Sequence, residues 1–416
     1  MVRVGEVFIP GGQPESTYVT RDNNDSELTI KKWSAGPRTQ LLSVHGPTKT
    51  GKTVLLHRYF PDAAWLSGGI IESAKEFWEI LADKFEIFAD RTLQVDDGRS
   101  NSVKVGARAG ATGTGVSSEL TEGGSGSRQV SLGRSRPLKA AVREYLEREK
   151  PVIILDDFHY MRPEEQVNIV RGMKDMIYKG VGFIVLAVPH RAYDVMRVER
   201  EMTGRLVQAP VGHWDNEDLR KIATQGFNAL NLGGPIEYIS ERLALESFSS
   251  PYLMQQFCLD LCQSQDIYSS KANGETIVIN TPEWDKLFSQ AAQSSSKLAF
   301  DELKKGPRQR SDRKMRMLKN NISTDIYGVV LAAIEHTGPQ TQLVYEDLRA
   351  AIRDILEDEP PQRHELTRVL DEMTKIAKKM DGEPVLEYDD EVSTLWIADP
   401  FFAFYLRHAK HDLRPS

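Results

Sequence analysis

The sequence has few cysteines and no long apolar run. Only two cysteines, Cys258 and Cys262, are present among 416 residues. They lie four positions apart in a helical pattern with no histidine or further cysteine nearby, so we expect buried thiols rather than a metal site or a disulfide framework. No apolar run approaches the roughly 20 residues that cross a bilayer, and the N-terminus lacks the apolar region of a signal peptide. These observations predict a cytoplasmic protein without a membrane partner.

The charged residues are nearly balanced in sign. Lysine and arginine total 53 against 60 aspartates and glutamates, which gives a formal net charge of −7. This balance disfavours a protein whose whole surface binds nucleic acid, while a local basic patch remains compatible with it. The chain is long enough for about two or three domains.

The N-terminal half alternates short apolar runs with runs of helical period. This pattern is typical of an α/β fold with a mainly parallel sheet. The predicted strands are Gln40–His45, Ala64–Leu66, Val152–Leu155, Phe183–Val188 and Leu206–Ala209. The predicted helices are Lys52–Phe60, Ser73–Phe85, Leu138–Glu147, Glu164–Tyr178 and Glu217–Leu230. We therefore predict a three-layer α/β/α core.

One segment, Asp96–Ser135, breaks this alternation. It holds nine glycines and eight serines in 40 residues, which leaves too little large apolar surface for it to join a core. We predict an insertion at residues 96–135, either a mobile loop or a glycine-rich hairpin.

The remainder of the chain is mainly helical, apart from a strand-like Glu275–Asn280. A basic stretch follows, and then a separate small unit with three helical segments and a hairpin. The helical segments are Ile326–Ile334, Leu348–Leu356 and Leu366–Met380. Three helices followed by a hairpin is the order of a winged helix, a variant of the helix-turn-helix class.

A glycine-rich turn follows the first predicted strand. Its residues are Gly46, Pro47, Thr48, Lys49, Thr50, Gly51, Lys52 and Thr53, which fit the pattern G-x-x-x-x-G-K-[ST]. The glycines allow backbone N–H groups to wrap a polyphosphate, and the helix that begins near Lys52 directs its positive end at the same anion. We expect Lys52 to reach the β- and γ-phosphates and the Thr53 hydroxyl to bind Mg²⁺. The alternative is an ordinary turn between a strand and a helix.

Two aspartates follow the apolar strand at Val152–Leu155. We expect Asp156 to bind Mg²⁺ through water and Asp157 to orient or deprotonate the attacking water. The alternative is a strand that merely ends in solvated acids. The phosphate-loop pattern upstream disfavours it.

Three basic residues adjoin the later strands. His190 and Arg191, after the fourth strand, are candidates for contact with the γ-phosphate, or else simply polar loop residues. Arg205, at the start of the fifth strand, is a candidate catalytic arginine acting on the nucleotide of a neighbouring subunit. A solvated surface role is the alternative for Arg205.

With these residues in place, the chain resembles the AAA+ and STAND branch of P-loop ATPases, and it is most similar to the origin-recognition and archaeal-ATPase types. The resemblance covers nearly the whole chain and implies ATP and Mg²⁺ as ligands. It implies an ATPase core at residues 1–212, a helical lid at 213–305, a basic linker at 306–322 and a winged helix at 323–416.

The resemblance also suggests further site residues. The segment STYVTRDNNDSEL is similar to one that lies against adenine in this group, so Tyr18, Val19 and Arg21 are adenine-side candidates. Pro251 matches the proline of the lid motif G-x-P, although Ser249 stands where the glycine would be. The segment TLWIADPFFAFYLRH resembles the end of a STAND winged helix, where D-P followed by aromatics closes the domain.

The function expected from these features is an ATP-driven molecular switch. Subunits would associate into a homo-oligomer with Arg205, which matches the family's glycine-arginine pair, acting in trans. Asp157 is shorter than the glutamate common in AAA+ proteins, so we expect slow hydrolysis. The alternative is a non-hydrolysing nucleotide-binding scaffold for a partner protein.

Two outputs of such a switch are consistent with the sequence. Eight lysines and arginines between residues 304 and 319, together with the winged helix, favour double-stranded DNA as the partner, as in initiator or transposon-regulator ATPases. The overall acidity and the mixed charges of the third winged-helix segment favour assembly with an effector protein, as in signalling or phage defence.

Overall fold

The structure, a computed structural model, describes residues 1–21, 25–87, 137–187, 204–293, 296–307, 313–338, 340–380, 384–409 and 413, with His159 and Gln293 described by their backbones alone. These residues form two compact units. The sheet unit comprises Ser26–His45 and His57–Ala209, and the helical unit comprises Met1–Asp25, Gly46–Leu56 and Pro210–Ser416. Several predictions fall outside the described residues, namely the insertion at 96–135 and the roles of His190, Arg191, Arg308 and Arg310.

The elements of the described residues follow the predicted alternation. The α-helices are α1 Val4–Val7, α2 Asp25–Ala35, α3 Lys52–Tyr59, α4 Ala74–Lys84, α5 Leu138–Glu149, α6 Pro163–Tyr178, α7 Asn216–Ala229, α8 Ile236–Leu245, α9 Pro251–Ser264, α10 Trp284–Gln293, α11 Lys297–Lys305, α12 Ile326–His336, α13 Tyr345–Ile355, α14 Arg363–Ala377 and α15 Pro400–His408. The strands are β1 Leu41–His45, β2 Ala64–Ser67, β3 Val152–Asp156, β4 Gly182–Ala187, β5 Leu206–Pro210, β6 Leu232–Gly233, β7 Ile277–Val278, β8 Arg316–Met317, β9 Ser323–Thr324, β10 Gln342–Val344, β11 Glu387–Asp389 and β12 Thr394–Trp396. Short 3-10 helices lie at Gly68–Ile70 and Phe158–Tyr160.

The sheet unit is built on strands in the order β2-β3-β4-β1-β5. The pairs β2–β3, β3–β4 and β4–β1 are parallel, with Leu66 opposite Leu155 and Leu42 opposite Ile184. The first four residues of β1 and β3 and all of β4 are buried. Continuous burial is expected of a parallel sheet covered on both faces, and the prediction of a parallel α/β sheet is confirmed.

Several helices begin at residues that favour helix caps. The Ser73 hydroxyl accepts a hydrogen bond from the Glu76 N–H at 3.2 Å, and the Asp215 carboxylate accepts one from the Asp218 N–H at 2.7 Å. Such side chains satisfy N–H groups that the helix itself leaves unpaired. The sequence therefore fixes the starts of α4 and α7 locally.

The first part of the helical unit packs around one apolar cluster. It includes aromatic pairs, with Phe8 and Phe227 at 5.5 Å and Phe257 and Phe288 at 5.6 Å between ring centroids. Both cysteines are free and buried in this cluster, as predicted. Burial raises the pKa of the Cys262 thiol to about 12, so this thiol stays protonated and packs as a small apolar group.

The C-terminal part of the helical unit has its own apolar cluster, from residue 300 onward. Helices α12, α13 and α14 surround it, and β10, β12 and β11 form an antiparallel sheet in that order. The predicted hairpin corresponds to β11 and β12. No pattern in the sequence predicts β10, because a strand of three residues is too short to show an alternation of apolar and polar residues.

Helix α15 belongs to both clusters of the helical unit. Phe402 and Leu406 pack in the C-terminal cluster, while Phe404 packs in the earlier one. The buried Glu246 carboxylate lies 3.2 Å from Arg407 and 2.8 Å from the ring of His408. Burial raises the pKa of Glu246, but the hydrogen bonds and charges of His408 and Arg407 outweigh it, so the pKa is lowered on balance. The contacts of the Glu246 carboxylate with Arg407 and His408 therefore hold α15 against the end of α8.

Two arginines of the basic stretch have internal partners. Arg313 forms an ion pair with the buried Asp325 and lies over the Tyr327 ring. The Arg316 side chain is only 5% exposed and lies 3.4 Å from Glu365. Arg313 also donates to the Lys305 carbonyl at the end of α11 and so joins α11 to the start of α12, whereas Arg316 joins β8 to α14. No helix among the described residues is long and apolar enough to span a membrane.

Candidate functional site

The loop at residues 46–51 has a backbone shape that depends on its two glycines. A Cβ atom on Gly46 would lie 2.1 Å from the carbonyl oxygen of Val211, so no larger residue fits there without a shift of the backbone. Gly51 has a φ of +90°, which side chains strongly disfavour. Lys49 also adopts a left-handed conformation, with a φ of +60°. The loop thus has the tight shape that the sequence pattern predicts.

Lys52 and Thr53 lie in the first turn of α3. The Lys52 ammonium donates hydrogen bonds to the carbonyl oxygens of Gly46 and Pro47, both at 2.8 Å. It therefore lies across the mouth of the loop, beside the positive end of the helix. The Thr50 hydroxyl donates a hydrogen bond to the Pro47 carbonyl within the loop, whereas Thr53 is exposed. An ammonium group, a helix N-terminus and an exposed hydroxyl form a donor set that fits the phosphates of a nucleotide with its Mg²⁺.

Three side chains from distant parts of the helical unit hold this loop. The indole N–H of Trp214 donates to the Thr50 carbonyl at 2.9 Å, and the Ser250 hydroxyl donates to the Lys49 carbonyl at 3.3 Å. The Lys49 ammonium forms an ion pair with Asp399 at 2.8 Å. The sequence did not connect any of the three with the loop, although Asp399 is the aspartate of the D-P pair expected to close the C-terminal domain. Pro251, predicted from the lid motif, begins α9 directly after Ser250, which makes the contact.

The adenine-side candidates also lie in the helical unit. Val19 is 5% exposed and belongs to the apolar cluster around Phe8, and Tyr18 beside it is half-buried. The Arg21 guanidinium lies 5.0 Å from the centroid of the Trp214 ring. Arg21 therefore meets the same tryptophan that holds the phosphate loop. The roles of these three residues toward adenine stay predictions.

The two predicted acids lie at the carboxyl end of β3. Asp156 is the last residue of the strand, and its carboxylate accepts a hydrogen bond from the Asp157 N–H at 2.9 Å. Asp157 has a left-handed backbone, with a φ of 55°, and both residues are half-buried. Because β1, β4 and β3 are parallel, their carboxyl ends share one edge of the sheet, where open α/β sheets bind their ligands.

A glycine packs directly against the second of these acids. A Cβ atom on Gly68 would lie 2.5 Å from the Asp157 carbonyl oxygen and 2.9 Å from its carbonyl carbon. Both are backbone atoms, so any side chain at residue 68 forces the turn after β3 to move. Gly68 therefore helps to set the position of Asp157, a contact that the sequence did not indicate.

Arg205 is exposed at the start of β5. Its guanidinium lies 5.8 Å from the centroid of the Tyr178 ring, and its carbonyl accepts a hydrogen bond from the Leu41 N–H at 2.9 Å. The backbone of Arg205 is thus part of the sheet edge, while its side chain lies on the surface. The predicted role in trans stays a prediction.

The sheet is parallel, and its first strand leads into a glycine-lysine-threonine loop at the N-terminus of a helix. This arrangement defines the P-loop class of nucleotide-binding folds. Within this class, residues 37–196 match the sequence model of the AAA domain family. The matched segment contains both the loop and the two acids of β3, and this part of the chain resembles the ATPase domain of AAA+ proteins. No curated protein matches the chain.

The chain also matches several solved structures at low identity. Cdc6p from Pyrobaculum aerophilum is 11% identical, with 98% of each chain covered and a TM-score of 0.42. The ORC2 protein of Aeropyrum pernix is 12% identical, with 92% of this chain and 90% of that chain covered and a TM-score of 0.44. A STAND protein with a tetratricopeptide repeat sensor from Pyrococcus horikoshii is 14% identical, with 94% of this chain and 44% of that chain covered and a TM-score of 0.34. The resemblance of residues 37–196 to the ATPase domain of AAA+ proteins therefore rests on the family match.

Proposed function

We propose that the chain is an ATP-driven molecular switch that binds Mg·ATP and hydrolyses it slowly. The observation that carries this proposal is the Lys52 ammonium at the mouth of the loop, beside the N-terminus of α3. A cation, a positive helix end and a glycine-shaped backbone together favour a polyphosphate. The match of residues 37–196 to the AAA domain supports ATP as the nucleotide.

The proposed roles follow the two motifs. In the loop, Lys52 would pair with the phosphates and Thr53 would hold Mg²⁺. At the end of β3, Asp156 would be the second residue to hold Mg²⁺, which would supply positive charge to the phosphates, while Asp157 orients the attacking water and accepts its proton. The water oxygen bonds to the γ-phosphorus, the bond to the β,γ-bridging oxygen breaks, and ADP leaves with inorganic phosphate. Arg205 of a neighbouring subunit stabilises the charge that develops on the transferred group.

Gly68 offers a test of the role of Asp157. Gly68→Ala is expected to lower the rate of phosphate release by about 10²-fold, because a displacement near 1 Å of a positioned group has an effect of that size. ATP binding should be unchanged, since the substitution leaves the phosphate loop intact. The measurements are phosphate release and the thermal shift caused by Mg·ATP.

Gly69→Ala is the matched control for this prediction. A Cβ atom at residue 69 would lie 3.6 Å from the Ser67 hydroxyl, an ordinary contact, so the rate should stay at the wild-type value. A Gly68→Ala protein that hydrolyses ATP at the wild-type rate would contradict the assigned role of the β3 turn.

We further propose the domain organisation of a core, a lid and a winged helix, at 1–212, 213–305 and 323–416, with a linker at 306–322. The order helix, strand, helix, helix, strand, strand from α12 to β12 supports the winged helix. Its third helix, α14, would enter the major groove if this module bound DNA.

The charges of this module favour a protein partner over DNA. On and just after α14, the cations of Lys375 and Lys378 are paired with Glu372 and Glu387. The turn between β11 and β12 exposes acidic residues, including Asp390. Paired cations beside exposed acids weaken attraction to a phosphate backbone. We therefore propose that the switch controls assembly of a protein complex, including its own homo-oligomer.

Electron microscopy of the purified chain tests this output. We expect larger particles when Mg·ATP is added, with or without double-stranded DNA, and no such particles from Lys52→Ala. Particles that form only when ATP and double-stranded DNA are both present would contradict the protein-assembly proposal and favour the DNA output.

A further inference from the structure

The phosphate loop carries an ion pair that its nucleotide-binding role does not explain. The Lys49 ammonium lies 2.8 and 2.9 Å from the two carboxylate oxygens of Asp399, which directly precedes α15. It also lies 4.3 Å from the centroid of the Phe401 ring. The side chains of Lys49 and Asp399 are 28% and 17% exposed. Contact with both oxygens, partial burial and an aromatic face set this pair apart from ordinary surface pairs.

Asp399 is the fixed partner in this contact. Its carboxylate also accepts the Phe401 N–H at 2.8 Å and so caps α15. The helix is in turn anchored in both apolar clusters of the helical unit through Phe402 and Phe404. The carboxylate therefore moves only with α15 and the C-terminal module, whereas Lys49 is a flexible side chain on the loop.

The surroundings leave room for Lys49 to move. A cavity of about 470 Å³ adjoins the pair and is lined by Tyr252, Gln256, Asp260 and Phe401 among others. The backbone of Lys49 is held separately, through its carbonyl and the Ser250 hydroxyl. A rotation of the Lys49 side chain thus leaves the backbone of the loop in place.

The electrostatic consequence concerns the two lysines of the loop. Lys52 lies across the loop mouth, while the charge of Lys49 is neutralised by Asp399. A bound polyphosphate attracts both lysines and repels the Asp399 carboxylate. The phosphates and the Asp399 carboxylate therefore compete for the Lys49 ammonium. Binding of the phosphates weakens the Lys49–Asp399 contact, and that contact weakens phosphate binding by the same factor.

We propose that Asp399 is a positioning residue of the phosphate loop, holding Lys49 away from the phosphates and thereby coupling ATP affinity to docking of the C-terminal module. This inference rests on the proposed binding of ATP at the loop. ATP binding loosens the Lys49–Asp399 contact, and release of α15 from the loop tightens ATP binding. The C-terminal module thus restrains nucleotide binding in the resting protein.

The test is the affinity for Mg·ATP of Asp399→Asn. Asparagine keeps an oxygen that caps α15, since it is as good an N-cap as aspartate, but it removes the charge that holds Lys49. We expect the Kd and the KM for ATP to fall about fivefold or more. A purely structural loss would not tighten binding. Asp390→Asn removes the same charge from the exposed turn of the module and should leave the Kd at the wild-type value.

Lys49→Met decides whether the effect passes through Lys49. In a Lys49→Met background, Asp399→Asn should no longer change the Kd. An equal gain in affinity in that background would overturn the proposal, because the carboxylate would then act on the phosphates directly. An unchanged Kd in Asp399→Asn alone, with ATP still bound by the wild type, would overturn this inference and leave the proposed function standing. Failure of the wild type to bind ATP would instead overturn the proposed function.

Discussion

Lys52→Ala is expected to abolish binding of Mg·ATP. The structure places this ammonium across the mouth of the loop, 2.8 Å from two loop carbonyls, where it would meet the phosphates. Its removal takes away the charge that offsets a polyphosphate of several negative charges. In the wild type, ATP at about 100 times its Kd should stabilise the fold by roughly 2.7 kcal/mol. The variant should show no such shift in Tm.

A second lysine provides the control. Lys75 is on the surface of α4, with 85% of its side chain exposed and only a weak pairing with Glu79. Lys75→Ala should keep the full ATP-dependent shift, because exposed pairs of this kind contribute little. An ATP-dependent shift that persists in Lys52→Ala would show that the nucleotide binds elsewhere.

Asp157→Asn is expected to lower phosphate release by about 10²- to 10⁴-fold, the range for loss of a general base. Asparagine has nearly the same shape as aspartate, so the left-handed turn at residue 157 should survive. What is lost is the negative charge that orients water and accepts its proton. Binding of Mg·ATP should remain, because Lys52, Thr53 and Asp156 are unchanged. Release of inorganic phosphate and the ATP-dependent Tm shift measure the two effects separately.

Asp62→Asn serves as the control for charge, because Asp62 is an exposed residue between α3 and β2. Its rate of phosphate release should equal that of the wild type. If wild type and Asp157→Asn both release no phosphate above background while still binding Mg·ATP, the chain is a nucleotide-binding scaffold and not an ATPase.

The parts of the site that the sequence predicts are those formed by neighbouring residues. The apolar strand β1, the glycine-lysine-threonine loop and helix α3 are continuous in the chain, so their pattern and spacing specify the local geometry. Asp156 and Asp157 likewise follow directly from the buried strand β3. The predictions for the five strands of the sheet unit differ from the structure by one residue at an end, where helix and strand boundaries are least determined by pattern.

The parts that the sequence does not predict depend on contacts between distant segments. Trp214 and Asp399 meet the loop across separations of 164 and 350 residues. No local periodicity encodes such pairs. Gly68 was not identified for the same reason, since its close approach to Asp157 exists only after β2 and β3 have paired. The contact of Arg316 with Glu365 is also between distant segments, and it buries the Arg316 side chain. The basic stretch therefore exposes less positive charge than its sequence suggests.

The central claim is that the loop at residues 46–53 binds ATP, and calorimetric titration of the full chain with ATP in the presence of Mg²⁺ tests it most directly. We predict saturable binding of about one ATP per chain, which disappears in Lys52→Ala. No saturable heat from the wild type at millimolar ATP, or an unchanged isotherm in Lys52→Ala, would contradict it.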